Sequence, residues 1–141
     1  MSKPNAFAHR FRVYFEDTDA GGVVYYANYL RFHERARTEC LRGLGYSQSA
    51  LMEQGIAFAV RSLSAEYLKP ARLDDELLIE ARIGEIGRAF LVFEQRALRA
   101  GELLATASVK VACVDVRRLA PARLPAALLS KIAVLPNFPI Q

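Results

Sequence analysis

Tryptophan is absent from this 141-residue chain, and cysteine, histidine and methionine occur twice each. No apolar run approaches the ~20 residues that span a bilayer. Cys40 and Cys113 lie far apart and fit no metal or redox spacing, so two buried thiols in a reducing compartment are expected. With only His9 and His33, the His33-Glu34 pair lacks the second histidine of a zinc helix. The opening MSKPNAFAHR has no apolar segment of a secretory signal; a cytoplasmic location without stable membrane insertion is expected. Lysine and arginine outnumber acids 19 to 15, for a formal charge of +4, yet no basic run reaches five. Without an RNA-binding aromatic signature or a Cys/His finger, nucleic acid is not the expected partner, whereas a polyanionic small molecule fits the charge.

What is present reads as a globular fold. Apolar residues make up 52% and charged residues 24%, and a chain of this length buries roughly 70% of its unfolded surface. One domain over residues 1–141 is expected, with a core of about 8–131 and a tail from 132. Residues 8–16 alternate, Phe11, Val13 and Phe15 on one side and Arg12, Tyr14 and Glu16 on the other, which predicts a strand. From Tyr29 the period changes: Tyr29, Phe32, His33, Ala36, Cys40 and Leu44 recur at helical steps, with Asn28 as the N-cap and Gly43 or Gly45 as the stop. A shorter helix fits SQSALMEQG, capped by Ser47 and stopped at Gly55.

Strands are predicted over 57–68, 76–87, 89–99 and 103–116, and a last short helix over 125–133. Short glycine-containing connections argue for antiparallel pairing. One long helix laid across a curved antiparallel sheet is an α+β architecture, the arrangement called the hotdog fold. The second face of the sheet also carries apolar groups, which predicts self-association.

Residues 16–29, EDTDAGGVVYYANY, crowd three acids and two glycines just before the long helix. Asp17-x-Asp19-x-Gly21-Gly22 has the outline of a calcium loop, but Gly21 and Asn28 stand where oxygen ligands are needed, so no metal is expected. A turn with a capping acid explains one carboxylate. Glycines at a helix entrance also let a ligand approach outward-pointing N–H groups, beside a carboxylate able to attack or to activate water. On the residues alone, both readings stay open.

FEDTDAGGVVYYANYLRFHERARTECLR resembles the signature of the 4-hydroxybenzoyl-CoA thioesterase family, and EDTDAGGVVY with ERARTE resembles its tol-pal system-associated acyl-CoA thioesterase branch. The resemblance runs on through EYLKPARLDDEL, LVFEQR and CVD, covering about residues 10–130. It implies hydrolysis of acyl-CoA to free acid and coenzyme A. Asp19 would be nucleophile or general base, and the Tyr26 backbone N–H would polarise the carbonyl. Relatives in the branch usually carry His where this chain has Tyr26, so an imidazole role is lost while a backbone donor survives. The resemblance places Gly22, Val23, Tyr29 and Arg88 against the substrate, Arg88 towards the phosphates of coenzyme A, while Glu34 and Tyr29 wall the pocket. It further implies no cofactor beyond the coenzyme A of the substrate, and a homo-oligomer, dimer or tetramer, with the pocket between subunits. The rival readings are an acyl-carrier-protein thioesterase, a dehydratase needing a His and a carboxylate in one pocket, and a non-catalytic acyl-CoA-binding protein tied to the cell envelope.

Overall fold

The computed structural model describes residues 6–133. The tail beyond residue 133 lies outside the described residues. Strand β1 (Ala6–Arg12) leads through a 3-10 turn (Phe15–Asp17) to the long helix α1 (Tyr26–Gly43) and the short α2 (Gln48–Glu53). Four long strands follow, β2 (Ile56–Tyr67), β3 (Glu76–Ile86), β4 (Phe90–Arg99) and β5 (Glu102–Asp115), then a two-residue β6 (Ala120–Pro121) and α3 (Ala126–Ile132). The sheet order is β1-β3-β4-β5-β2, with every pair antiparallel and β6 added to β5. This is the hotdog arrangement expected from the pattern.

Period-two alternation decides the meander β3–β4–β5. Leu77, Ile79, Ala81 and Ile83 alternate with less buried neighbours and are buried, as are Leu91, Phe93 and Ala97 on β4 and Ala105, Ala107, Val109, Val111 and Cys113 on β5. Burying one such large side chain contributes about 1.5–3 kcal/mol before the cost of ordering the chain is set against it. The α1 stripe meets this face: Tyr29, Phe32, His33, Ala36 and Cys40 are buried as the spacing predicts, and Leu44 is half-buried. The two thiols, Cys40 and Cys113, are both buried and free, and burial pushes the Cys40 thiol up to about 12. Helix α1 packs mainly on β3 and β1. Its stop is Gly45, in the left-handed region at φ +89°, where an L side chain is strained. Ser47 caps α2 as predicted, its hydroxyl accepting the Ala50 N–H at 3.1 Å.

Two expectations need correction. The first strand ends at Arg12 and not at residue 16: the Asp17 carboxylate accepts the Tyr14 N–H at 2.8 Å and draws the chain into a 3-10 turn, leaving Phe15 80% exposed. A local side-chain acceptor has outcompeted the strand ladder. Asn28 is not the helix cap, because α1 starts two residues earlier with Tyr25 in the cap position. The outer face of the sheet carries the half-buried Leu78, Val92 and Leu98, as expected, around a polar centre where Arg96 pairs with Glu80 at 2.6 Å and Ser108 donates to Glu94 at 3.0 Å. Exposed apolar side chains also line β2, at the sheet edge. Val60, Leu63 and Tyr67 pair with Val111, Val109 and Ala105, so they share the helix-facing side, yet each stays more than 40% exposed.

Candidate active site

The acid-glycine stretch is a tight hairpin standing on the entrance to α1. Thr18 and Val24 form an antiparallel bridge, the Asp19 N–H donates to the Val23 carbonyl at 2.9 Å, and the Gly22 N–H donates to the Asp19 carbonyl at 3.1 Å. Gly22 sits at φ +78°, which is why glycine stands there. The Asp19 side chain turns back on its own loop, one carboxylate oxygen accepting the Gly21 N–H at 2.8 Å. Among the described residues nothing else holds that carboxylate, and Asp19 is exposed.

Asp17, two residues earlier, has the opposite surroundings. It is 5% exposed, and its carboxylate takes the Tyr14 N–H at 2.8 Å and the Asn28 side-chain amide at 2.5 Å. Its carbonyl accepts the Tyr25 N–H at 3.1 Å. Burying a carboxylate costs several kcal/mol unless its lone pairs are bonded, and these donors meet that need.

Helix α1 then begins at Tyr26, whose N–H, as the first of the helix, has no intrahelical acceptor. Among the described residues no other group accepts it. The helix dipole adds positive potential at this end. The hairpin is also tied to the segment 69–72. Val23 bridges to Arg72, the Val24 N–H donates to the Ala71 carbonyl at 2.8 Å, and the Ala71 N–H donates to the Tyr29 hydroxyl at 2.9 Å.

A cavity of about 240 Å³ opens beside this junction, lined by Val24, Tyr26, Tyr29, Tyr67 and Lys69 among others. The tyrosine rings form a continuous wall, with centroids 6.0 Å apart for Tyr26–Tyr67 and 5.4 Å for Tyr29–Tyr67. Burial raises the Tyr29 phenol above its ordinary value, outweighing the opposing Ala71 N–H, and it raises Tyr67 likewise. Both rings therefore stay neutral around pH 7.

Asp19, Gly22, Val23 and Tyr26 thus come together at one loop–helix junction, with Tyr29 behind them in the cavity wall. Glu34 is exposed on α1 and faces a different hollow, with His9 and Phe11. Arg88 is exposed in the β3–β4 turn. The hairpin sits near the start of β3, and that strand runs eleven residues away from it, a span of roughly 35 Å. Within one chain Arg88 therefore does not meet the Asp19 junction. Lys69 and Arg72 are the bases that do. Sequence spacing does not single them out; only the resemblance through EYLKPARLDDEL touches them.

His33 lies away from this junction, between helix and sheet. Gln95 donates to the His33 carbonyl at 3.0 Å and accepts from Arg37 at 3.0 Å. Burial, reinforced by the Arg37 charge, lowers His33 to about 4, so it is neutral at pH 7. Its Nδ1 has no partner among the described residues. Enclosed between helix and sheet, with no carboxylate bonded to it among the described residues, His33 does not form the His–carboxylate pair of a dehydratase. Among the described residues no group of three or more His, Cys, Asp or Glu side chains converges as metal ligands would, and no helix is long and apolar enough to cross a membrane.

The sequence profile of the thioesterase-like superfamily matches residues 13–132. The chain belongs to that superfamily. It is 50% identical over 122 residues to an acyl-CoA thioesterase, YbgC, of Haemophilus influenzae, covering 86% of this chain and 90% of that relative. It is equally 50% identical over 121 residues to the acyl-CoA thioester hydrolase YbgC of Escherichia coli O6:H1, covering 85% and 90%. The crystal structure of a probable thioesterase from Bartonella henselae superposes with a TM-score of 0.81 at 37% identity, covering 85% of this chain and 99% of that one. The resemblance carried by EDTDAGGVVY and ERARTE is borne out, and the chain is a thioester hydrolase of the YbgC type.

Proposed function

We propose that this enzyme hydrolyses acyl-CoA thioesters to the free acid and coenzyme A, with the Asp19 carboxylate as the reacting group. The observation that carries the reading is the pairing of an exposed, loosely held carboxylate with the unshared N–H of Tyr26, one at each end of a short turn. The relatives named as acyl-CoA thioesterases support the substrate class.

The thioester carbonyl oxygen accepts from the Tyr26 N–H, a bond that strengthens as negative charge develops on that oxygen. One such donor is worth about 10²–10³ in rate. Asp19 then either takes a proton from water as a new C–O bond forms, or attacks the carbonyl itself to give a mixed anhydride that water opens. In both routes the C–S bond breaks, coenzyme A leaves as the thiolate and takes up a proton, and the acid is released. The step is redox-neutral and calls for no cofactor beyond the coenzyme A of the substrate. Gly22 and Val23 border the reacting carbonyl, Tyr29 and Tyr67 wall the acyl group, and Arg72 offers positive charge to the coenzyme A phosphates, beside a Lys69 paired with Glu102 at 2.6 Å.

We place the enzyme in the cytoplasm, where Cys40 and Cys113 stay reduced, and read it as a homo-oligomer. The outer edge of β2 is free among the described residues, with Val60 and Leu63 exposed beside it. A second copy there would cover both, and only from another copy would an Arg88 approach coenzyme A bound at Asp19. The test is thiol release from acetyl-, octanoyl-, palmitoyl- and benzoyl-CoA. Release from at least one, at a rate that saturates with substrate, is the expected result. No release from any of them, with binding retained, overturns the reading in favour of an acyl-carrier-protein substrate or a binding role.

A further inference from the structure

We infer that Asp17 and Asn28 form a positioning pair that fixes the distance between the Asp19 carboxylate and the Tyr26 N–H; this rests on the proposed role of Asp19. A turn-making aspartate needs only its local bond, here from the Tyr14 N–H at 2.8 Å. Asp17 makes a second bond, 2.5 Å to the amide of Asn28, eleven residues on and in the first turn of α1. Both partners are buried, at 5% and 7% exposure. The Asp17 carbonyl also takes the Tyr25 N–H at 3.1 Å, immediately before the helix begins.

Residue 17 therefore holds both sides of the helix entrance. Above it the hairpin has a stem, the Thr18–Val24 bridge, and a tip running from Asp19 to Val23. Asp19 leaves the stem on one strand and Tyr26 lies just beyond it on the other. Cutting the Asp17–Asn28 bond frees the hairpin to tilt against α1. A shift of about 1 Å between reacting groups costs about 10²-fold in rate. Neither Asp17 nor Asn28 needs to touch substrate for this, and neither is a catalytic residue.

The chemistry of the pair allows a rescue. Asn28→Asp sets two carboxylates against each other. Asp17→Asn alone is mild, because the amide oxygen it introduces still accepts from the Tyr14 N–H, and the Asn28 amide can turn so that its own oxygen accepts from the new NH₂ group. The swap of Asp17→Asn with Asn28→Asp restores both bonds with the charge exchanged. For whichever of the four acyl-CoAs is turned over fastest, Asn28→Asp is expected to lose about 100-fold in kcat with KM within about threefold. The swapped double variant is expected to return to within about fivefold of wild type.

Thermal melts establish that each variant is folded at the assay temperature. If Asn28→Asp does not fold, Asn28→Ala removes the donor without adding charge, and about a tenfold fall in kcat at unchanged KM is expected. A folded Asn28→Asp or Asn28→Ala with wild-type kcat overturns the pair, as does a folded double variant as slow as Asn28→Asp. Asp19→Asn is assayed alongside. If it is inactive while the Asn28 variants run at the wild-type rate, the positioning pair alone fails. If it too runs at the wild-type rate, the reading of Asp19 fails and takes the pair with it.

Discussion

The meander β3–β4–β5 and the hairpin at residues 14–28 are built on different rules. In the meander, alternation of side chains sets the buried face: odd positions from Leu77 to Ile83 and from Leu91 to Ala97 face the helix, and Gln95 is the one polar residue among them. In the hairpin, alternation points Phe15 inward and loses. Two carboxylates two residues apart take the backbone away from the strand, one buried and fully engaged at Asp17, one exposed and held by a single N–H at Asp19. The meander is organised by burial and tolerates no vacancy; the hairpin is organised by hydrogen bonds and leaves one group unspent. On the role proposed for Asp19, stability and reactivity fall to separate parts of the chain.

That separation can be broken most forcefully in the meander. Phe93 is 1% exposed in a core cluster that does not include the hairpin, so Phe93→Ala should cost about 3–5 kcal/mol in denaturant unfolding. The rate per folded molecule should stay within about twofold of wild type, since separated sites act independently. A large loss of kcat in the folded fraction would show the two regions to be coupled.

A smaller effect is expected from the polar island between helix and sheet. His33 is lowered to about 4 in the folded protein by burial, against about 6.5 when unfolded. The unfolded chain therefore binds the extra proton first. The stabilising contribution is fully present above about pH 6.5 and is lost as pH falls through the window down to about 4, a total loss of about 3 kcal/mol. Unfolding free energies measured across that range should show the slope, and His33→Leu should flatten it. An unchanged slope in His33→Leu would place the acid sensitivity elsewhere.

The smallest effect is expected at the boundary between the two regions. Tyr29 belongs to the α1 stripe, yet its hydroxyl accepts from the buried Ala71 N–H and so ties segment 69–72 to the hairpin. Tyr29→Phe keeps the ring and orphans that N–H, for a cost of about 1–3 kcal/mol in urea unfolding. Because the same bond braces the cavity wall, KM should rise more than kcat falls. A variant as stable as wild type would remove the hydroxyl from the account.

These differences also explain how much is legible in the sequence. The helical stripe from Tyr29 to Cys40, the Ser47 cap and the strands from Leu77 to Cys113 follow from periodicity and local chemistry, which a sequence displays directly. The place of β2 does not: it pairs with β5 through partners far apart in sequence, from Tyr67 with Ala105 to Ile56 with Asp115, and its link to β3 crosses the sheet from one side to the other. Spacing contains no signal for that. Spacing misplaces the helix start because Asn28 is a good cap residue by type, while its amide is in fact committed to Asp17. Asp19, Gly22, Val23 and Tyr26 can be found together because they are neighbours in sequence. Arg88 is carried over by resemblance alone, and its distance from the junction becomes visible only once the direction of β3 is known.

The most direct test of the central claim is the turnover of Asp19→Asn beside wild type, on the best substrate of the acyl-CoA panel, with melting temperatures measured on the same samples. The substituted amide keeps an oxygen for the Gly21 N–H, so the fold should be unchanged. A loss of about 10²–10⁴-fold in kcat is expected, with the melting temperature and acyl-CoA binding intact. Turnover at the wild-type rate would contradict it and return the hairpin to the status of a turn.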